Sequence, residues 1–189
     1  MSIIVSDSGG GSFTPHPEGQ YPAICVDVVD VGYKDSMYGP KYKIRIVFYC
    51  GETMEKTIDG KAEIVPLLAS STFTASLSER GHLLPFLEAW RGVAFTTEER
   101  KGFDVEKGVL GAPGYIQIVH ATKGDNTYAN IKSIMRLPKG MVPPPMPDNY
   151  ERVCEREGWT GPLPHPDMER SEPAEDTTDY SEDDSDLPF

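Results

Sequence analysis

The stretch KYKIRIVFYC, residues 41–50, restricts the fold more than any other part of the chain. Tyr42, Ile44, Ile46 and Phe48 alternate with Lys41, Lys43, Arg45, Val47 and Tyr49. A period of two with apolar and aromatic residues on one side marks a strand that buries one face. QYPAICVDVVDVGY, residues 20–33, has a similar period: Ile24, Val26 and Val28 alternate with Cys25, Asp27 and Val29. The loop between the two breaks at Gly39-Pro40. A third strand is expected near Met54–Ile58, continuing around Thr72–Ala75.

A helical block follows. Leu83, Leu87 and Trp90 lie at i, i+4 and i+7, on one face of a helix. Pro85 fits only a first turn, so the helix should begin near Gly81–Leu84, and Gly92 suits its end. Thr96-Thr97-Glu98-Glu99 reads as a capping box for a second short helix stopping at Gly102. Asp104 caps a third, ending at Gly111. Strands resume over 113–122 and 127–137, joined by the hairpin signal KGDN. Five strands with a helical insertion between the third and fourth is the order of an OB-fold, a small mainly β Greek-key barrel. An immunoglobulin-like sandwich needs about seven strands and no central helix. A doubly wound sheet needs a helix after every strand.

Charge divides the chain further. The net charge is −12, but residues 167–189 hold 10 acidic residues and one basic residue, a net of −9. The other 166 residues hold 20 acidic and 17 basic, a net of −3. Residues 140–189 carry 9 of the 17 prolines. Such a composition buries too little apolar surface to offset chain entropy. The expected organisation is a flexible Ser/Gly-rich arm (1–12), a barrel domain (13–139), a Pro-rich extended segment (140–166) and a disordered acidic tail (167–189). The extended segment can drape over the domain through Tyr150, Trp159 and Leu163. The three cysteines, Cys25, Cys50 and Cys154, cannot all pair in one chain and are read as reduced thiols of a cytosolic protein. The four scattered histidines have no zinc spacing, so neither metal nor cofactor is expected. MSIIVSDSGGG lacks the basic start of a signal peptide. No apolar run approaches the ~20 residues of a membrane span, so no membrane partner is expected.

The polar face of the second strand suggests a ligand. Lys41, Lys43 and Arg45 stand ~6.6–6.8 Å apart along an extended chain, close to the spacing of phosphates in an extended single strand. Tyr33, Tyr38 and Tyr49 lie near them in sequence, and Tyr128 and Lys132 share a face of the last strand. Cations that track a phosphodiester backbone, interleaved with rings on which bases stack, suit single-stranded nucleic acid. Phe73 is a further stacking candidate or a core residue, and Lys34 and Lys123 are loop cations for the same groove or simply solvated. The plainer reading of such lysines is that they deter edge-to-edge aggregation.

The chain closes on SEDDSDLPF. A merely solubilising tail has no need of an apolar end. Leu187, Pro188 and Phe189 can enter a partner's pocket, while Asp183, Asp184 and Asp186 steer the tip to a basic surface. Pro188 limits the conformers lost on docking.

DDSDLPF resembles the acidic C-terminal tip of bacterial single-stranded DNA-binding proteins. The segments FTPHPEGQYPAICVDV, LLPFLEAWRGVAFTTEE, GFDVEKGVLG, IQIVH and TYANIKSIMRLPKG are similar to a family of bacteriophage single-stranded DNA-binding proteins with an OB-fold. The resemblance implies a protein of the host bacterial cytoplasm that coats and protects single-stranded DNA during replication and recombination. It also implies recruitment of replication and recombination proteins through the tip. Residues 140–166 depart from the pattern, being longer and richer in Pro and Trp than a plain tail.

On this basis single-stranded DNA crosses strands two, three and five, and a tethered polyanion competes with it for the same cations. The alternative is an OB-like adaptor of the replication machinery that uses its face for protein and binds no DNA. Catalysis is not expected, and with it no small-molecule substrate. Glu98-Glu99 sits at a helix start where acids favour the dipole, and no nucleophilic triad or P-loop is present.

Overall fold

The computed structural model of the chain describes residues 15–58, 60–124 and 126–165. The arm at 1–12, the acidic tail at 167–189 and the tip Asp183–Phe189 lie outside the described residues. The elements run β1 (Gly19–Lys34), β2 (Lys41–Ile58), β3 (Lys61–Thr74), α1 (Leu83–Arg91), α2 (Thr97–Lys101), α3 (Val105–Val109), β4 (Pro113–Lys123) and β5 (Asn126–Met135). The strands close into a barrel in the order β1-β2-β3-β5-β4, with the helices between β3 and β4. This is the expected five-stranded OB architecture, mainly β with a helical insertion.

The alternation over 41–50 sets the inner and outer faces. Ile46, Phe48 and Cys50 are buried in the core with Ala23, Cys25, Ile116, Ile118 and Ile134. α1 closes one end of the barrel. Its Leu83, Leu84, Leu87 and Trp90 are buried, each large aliphatic side chain contributing about 1.5–3 kcal/mol. Phe48 packs on Trp90 with ring centroids 5.0 Å apart, and Phe73 on Phe86 at 4.6 Å. Pro85 sits in the first turn of α1 and Gly92 ends it, as the sequence predicts. Thr96 and Glu99 form the predicted capping box, and Asp104 accepts from the Lys107 backbone at the start of α3.

Two expectations about strands require correction. Met54–Ile58 is not a third strand but the far half of β2. Gly51, at φ +89°, lets the strand bend through a register shift between Tyr49 and Thr53 and then continue, paired to Pro66–Lys61 of β3. In β1 a bulge at Val26 breaks the simple period. Cys25 faces Phe48 inside, while Asp27 pairs with Val47 on the outer side.

That outer side is not solvent. Val26, Val29, Val47 and Tyr49 form a second buried cluster, packed against Tyr150 and Val153. Residues 140–165 cross the barrel as a strap, with only a short 3-10 turn at Val153–Glu155. Asp27, 1% exposed, pins it. Its carboxylate accepts from the Tyr150 hydroxyl (2.9 Å), the Val153 amide (2.8 Å) and Arg152 Nε (3.2 Å). Arg152 also donates to Glu106 in the first turn of α3, at 2.7 Å. Further along, Leu163 exchanges backbone hydrogen bonds with Val31 and Tyr33. Gly32, at φ +75°, permits this approach, because a Cβ there would overlap the Leu163 backbone. Trp159 remains exposed.

Removing one partner of a buried ion pair costs about 3–5 kcal/mol. Asp27→Ala should therefore lower the unfolding free energy by about that amount in urea titration and admit protease at residues 140–165. A loss under about 1 kcal/mol, the value of an exposed pair, would mean that the strap is not held by this carboxylate.

Candidate nucleic-acid interface

With the β1–β2 exterior strapped, the open cationic surface lies elsewhere. β3 and β5 meet through a single residue pair, Ser70 with Asn130. Beyond that pair the start of α1 lies between them, and two cavities open. One, of about 350 Å³, is walled by Lys41 and Lys43 of β2, Thr72 and Thr74 of β3, and Arg80 and His82 of the connecting loop. The other, of about 420 Å³, lies between Ser71 of β3, Phe86 of α1, and Lys132 and Ser133 of β5. Phe73 and His82 belong to both, so the two form one groove. No carboxylate lines either cavity.

The groove follows from local structure. Strand alternation turns Lys43 to the outside of β2, where its Nζ donates to Thr74 Oγ1 at 2.8 Å across the β2–β3 ladder. Lys34 pairs with Lys41 at the base of the β1–β2 hairpin and adds to the same charged end. A bulge in β5 between Ile131 and Ser133 offsets Lys132 from the face of Tyr128 and Asn130 and into the second cavity. α1 has no side-chain cap and no acidic residue in its first turn. Its N-terminal N–H groups and dipole therefore favour an anion nearby.

The expected site residues separate into groups. Lys41, Lys43 and Lys132 are brought together in the groove. Lys34 is exposed beside them. Tyr38 is 84% exposed at the β1–β2 hairpin, three positions before Lys41. Tyr128 is 43% exposed, two positions before Asn130, past the end of the groove where β3 and β5 meet. Lys123 ends β4, and its side chain is not among the described parts. Tyr33 is engaged by its neighbours: its ring meets Tyr42 at 5.0 Å and His165 at 4.6 Å, both edge-on. The Tyr42 hydroxyl donates to Asp30 at 2.5 Å. That bond, with burial, pushes its phenol up to about 12.

One expectation is corrected, and two further side chains are placed. Tyr49 is no stacking platform: it is 8% exposed, because the strap covers it. Phe73 is likewise 8% exposed and packs in the core against Phe86, so only its edge contributes to the groove wall. Arg45 lies at the margin of the strap, half-buried, with its Nε enclosed and lacking a hydrogen-bond partner. Its charge is felt by the Tyr150 hydroxyl, whose pKa is raised chiefly by burial and then by the bond to Asp27. Sequence reasoning missed Arg80 and His82. They stand in a polar loop, SLSERGH, and only closure of the barrel brings that loop beside the lysines of β2.

Among the described residues no cluster of His, Cys, Asp or Glu could hold a metal ion. No described helix is long and apolar enough to cross a membrane. The arrangement defines a closed five-stranded barrel of OB topology with a cationic, partly aromatic groove. No protein-family model and no curated protein matches the chain.

Limited acetylation of the folded protein should separate the tyrosines. Among the described tyrosines Tyr38 should react fastest, while Tyr49 and Tyr150 should remain unmodified until the strap is released, as mapped by peptide mass spectrometry. Reaction of Tyr49 at the rate of Tyr38 would contradict the covered face.

Proposed function

We propose that this chain binds single-stranded DNA in the β3–α1–β5 groove, as a protein of the bacteriophage single-stranded DNA-binding type. One observation carries this: five basic or imidazole side chains, Lys41, Lys43, Arg80, His82 and Lys132, wall a continuous groove that holds no carboxylate. A net negative chain can bind a polyanion when its cations are gathered in this way. The lysines neutralise successive phosphates. Ser71, Thr72, Thr74 and Ser133 offer hydroxyls to backbone oxygens. Tyr38 at the hairpin and the ring edges of Phe73 and Phe86 offer apolar surface to bases. Stacking on the exposed Tyr38 ring is worth about 1–3 kcal/mol per base and does not depend on base identity. A duplex hides its base faces, so a groove with apolar walls favours unpaired strands.

In this proposal the acidic tip supplies the second activity. Leu187, Pro188 and Phe189, preceded by Asp183, Asp184 and Asp186, form a short apolar bait on an anionic lead. The bait summons replication and recombination proteins to coated DNA in the bacterial cytoplasm. Neither activity calls for a cofactor, a bond-breaking step or a small-molecule substrate.

Fluorescence anisotropy with labelled oligo-dT of increasing length provides the test. Affinity should rise with length and fall with salt, at a slope of about −0.7 per neutralised phosphate. Lys43→Ala with Lys132→Ala should weaken binding and flatten the slope by roughly 0.7 for each phosphate no longer neutralised, whereas Tyr49→Phe should leave both unchanged. Absence of length-dependent binding would favour a protein-binding adaptor instead.

A further inference from the structure

Beyond Tyr49 the two longest strands leave the barrel. β1 pairs with β2 only as far as Tyr49, and β3 meets β5 only at Ser70. Thr53–Ile58 and Lys61–Pro66 pair only with each other, as a two-stranded ribbon. None of these residues belongs to either buried cluster, and Thr53, Glu55, Lys56, Glu63 and Ile64 are exposed. A ribbon of two strands is marginally stable at best in water, and unpaired edges template further pairing. The β3 edge is closed in two ways. Pro66 has no N–H to offer, and the Ile64 carbonyl accepts from the Asn149 side chain of the strap at 2.7 Å. The β2 edge has neither device: among the described residues, none outside the ribbon hydrogen-bonds to Thr53–Thr57. Its geometry follows from the β3 side. Ile64 and Pro66 turn their backbone polar groups outward, so Glu55 and Thr53, which face them, turn theirs outward on the opposite edge.

We infer that this β2 edge pairs with the same edge of a second copy, antiparallel across a two-fold axis at Met54, so that two ribbons make one sheet. A two-fold axis between identical antiparallel strands stands perpendicular to the sheet and keeps every side chain on its own face. The axis must therefore pass at a residue, with partners an equal number of positions to either side. Centred on Met54, Glu52 of each copy faces Lys56 of the other, Met54 meets its own counterpart, and Thr53 faces Glu55. Thr53 and Glu55 carry the outward backbone groups, so their pairs exchange the hydrogen bonds. The Glu52–Lys56 and Met54–Met54 pairs are then the non-hydrogen-bonded ones, where side chains stand closest. Opposite charges facing each other stabilise a sheet, and like charges destabilise it. A centre at Glu55 or Lys56 would set like charges on the axis, and a centre at Thr53 or Thr57 brings no Glu opposite a Lys. The charge pattern thus selects one register. The contact is small, of the class under about 1,200 Å² that associates weakly. It leaves the groove open in both copies, since no residue of 52–57 walls it. The pairing is therefore independent of the polynucleotide reading, although copies held side by side on one strand would pair more readily.

The test is disulfide trapping on the full chain without nucleic acid. Cys25 and Cys50 are buried and Cys154 is exposed, so Cys154→Ser provides the background. Facing Cα atoms of a non-hydrogen-bonded pair stand about 4.5 Å apart, within the ~4.4–6.8 Å a disulfide spans. Met54→Cys should therefore give a covalent dimer under mild copper–phenanthroline oxidation, with a yield that rises with protein concentration. Thr57→Cys, far from its counterpart in this register, should give little. Adding Glu52→Lys to Met54→Cys turns both opposite-charge pairs into like-charge pairs and should lower the trapped yield about tenfold. Adding Lys56→Glu to that chain should restore it, which an unfolded ribbon would not do. Equal trapping at positions 54 and 57, no trapping at 54, or no restoration by the double reversal would overturn the inference. Oligo-dT anisotropy on the same chains separates the two claims. DNA binding without trapping at position 54 sinks only the pairing, and trapping by a chain that binds no oligo-dT sinks only the groove.

Discussion

A carboxylate in the middle of an apolar strand organises this molecule. Asp27 stands between Val26 and Val28, on the outer face of β1, where a buried charge is tolerated only if its oxygens are satisfied. The strap satisfies them with a hydroxyl, an amide and a guanidinium. In return the strap covers Val26, Val29, Val47 and Tyr49, which would otherwise form an exposed apolar patch on the β1–β2 surface. The ion pair and the apolar cover depend on each other. Asp27 without Arg152 leaves a buried charge unmatched, and the strap without Asp27 has no anchor to set its register.

The strap also decides where a ligand can approach. With the outer face of β1 and the middle of β2 covered, the cations gathered into a groove are those past the strap's edge, Lys41 and Lys43, and those across the β3–β5 opening. The single pairing of Ser70 with Asn130 leaves that opening, and α1 makes it a groove rather than a hole by filling its base with Phe86 and the core leucines. The same helix turns Trp90 toward a cavity of about 800 Å³ on its far side. One short helix thus separates a cationic groove from a cavity walled largely by apolar side chains.

Much of this is legible in the sequence. The alternation of Tyr42–Phe48, Pro85 in a first turn and the Thr96–Glu99 box identify β2, α1 and α2 and, through their order, the barrel. Most of β3 escapes such a reading because Val65-Pro66-Leu67-Leu68 has no period, and because a glycine that bends a strand looks like one that ends it. Val47 and Tyr49 carry a signal that is easily taken for plain alternation. The outer face of β2 changes from Lys43 and Arg45 to apolar residues midway, and such a change calls for a cover. Asp27 within CVDVVDV calls for partners in the same way. Which residues supply them is not readable, since Tyr150, Arg152 and Val153 lie more than 120 positions away. The same distance dependence hides Arg80 and His82: nothing local links that loop to β2.

Photocrosslinking of iododeoxyuridine-substituted oligo-dT to the full chain, with the attached peptides mapped by mass spectrometry, tests most directly where the open surface lies. Crosslinks should fall within residues 36–43, 71–86 and 128–133, on the hairpin and the two lips of the groove. Crosslinks concentrated at Tyr49, Tyr150 or Trp159 would show that nucleic acid displaces or rides on the strap, and the account of the covered face would be wrong.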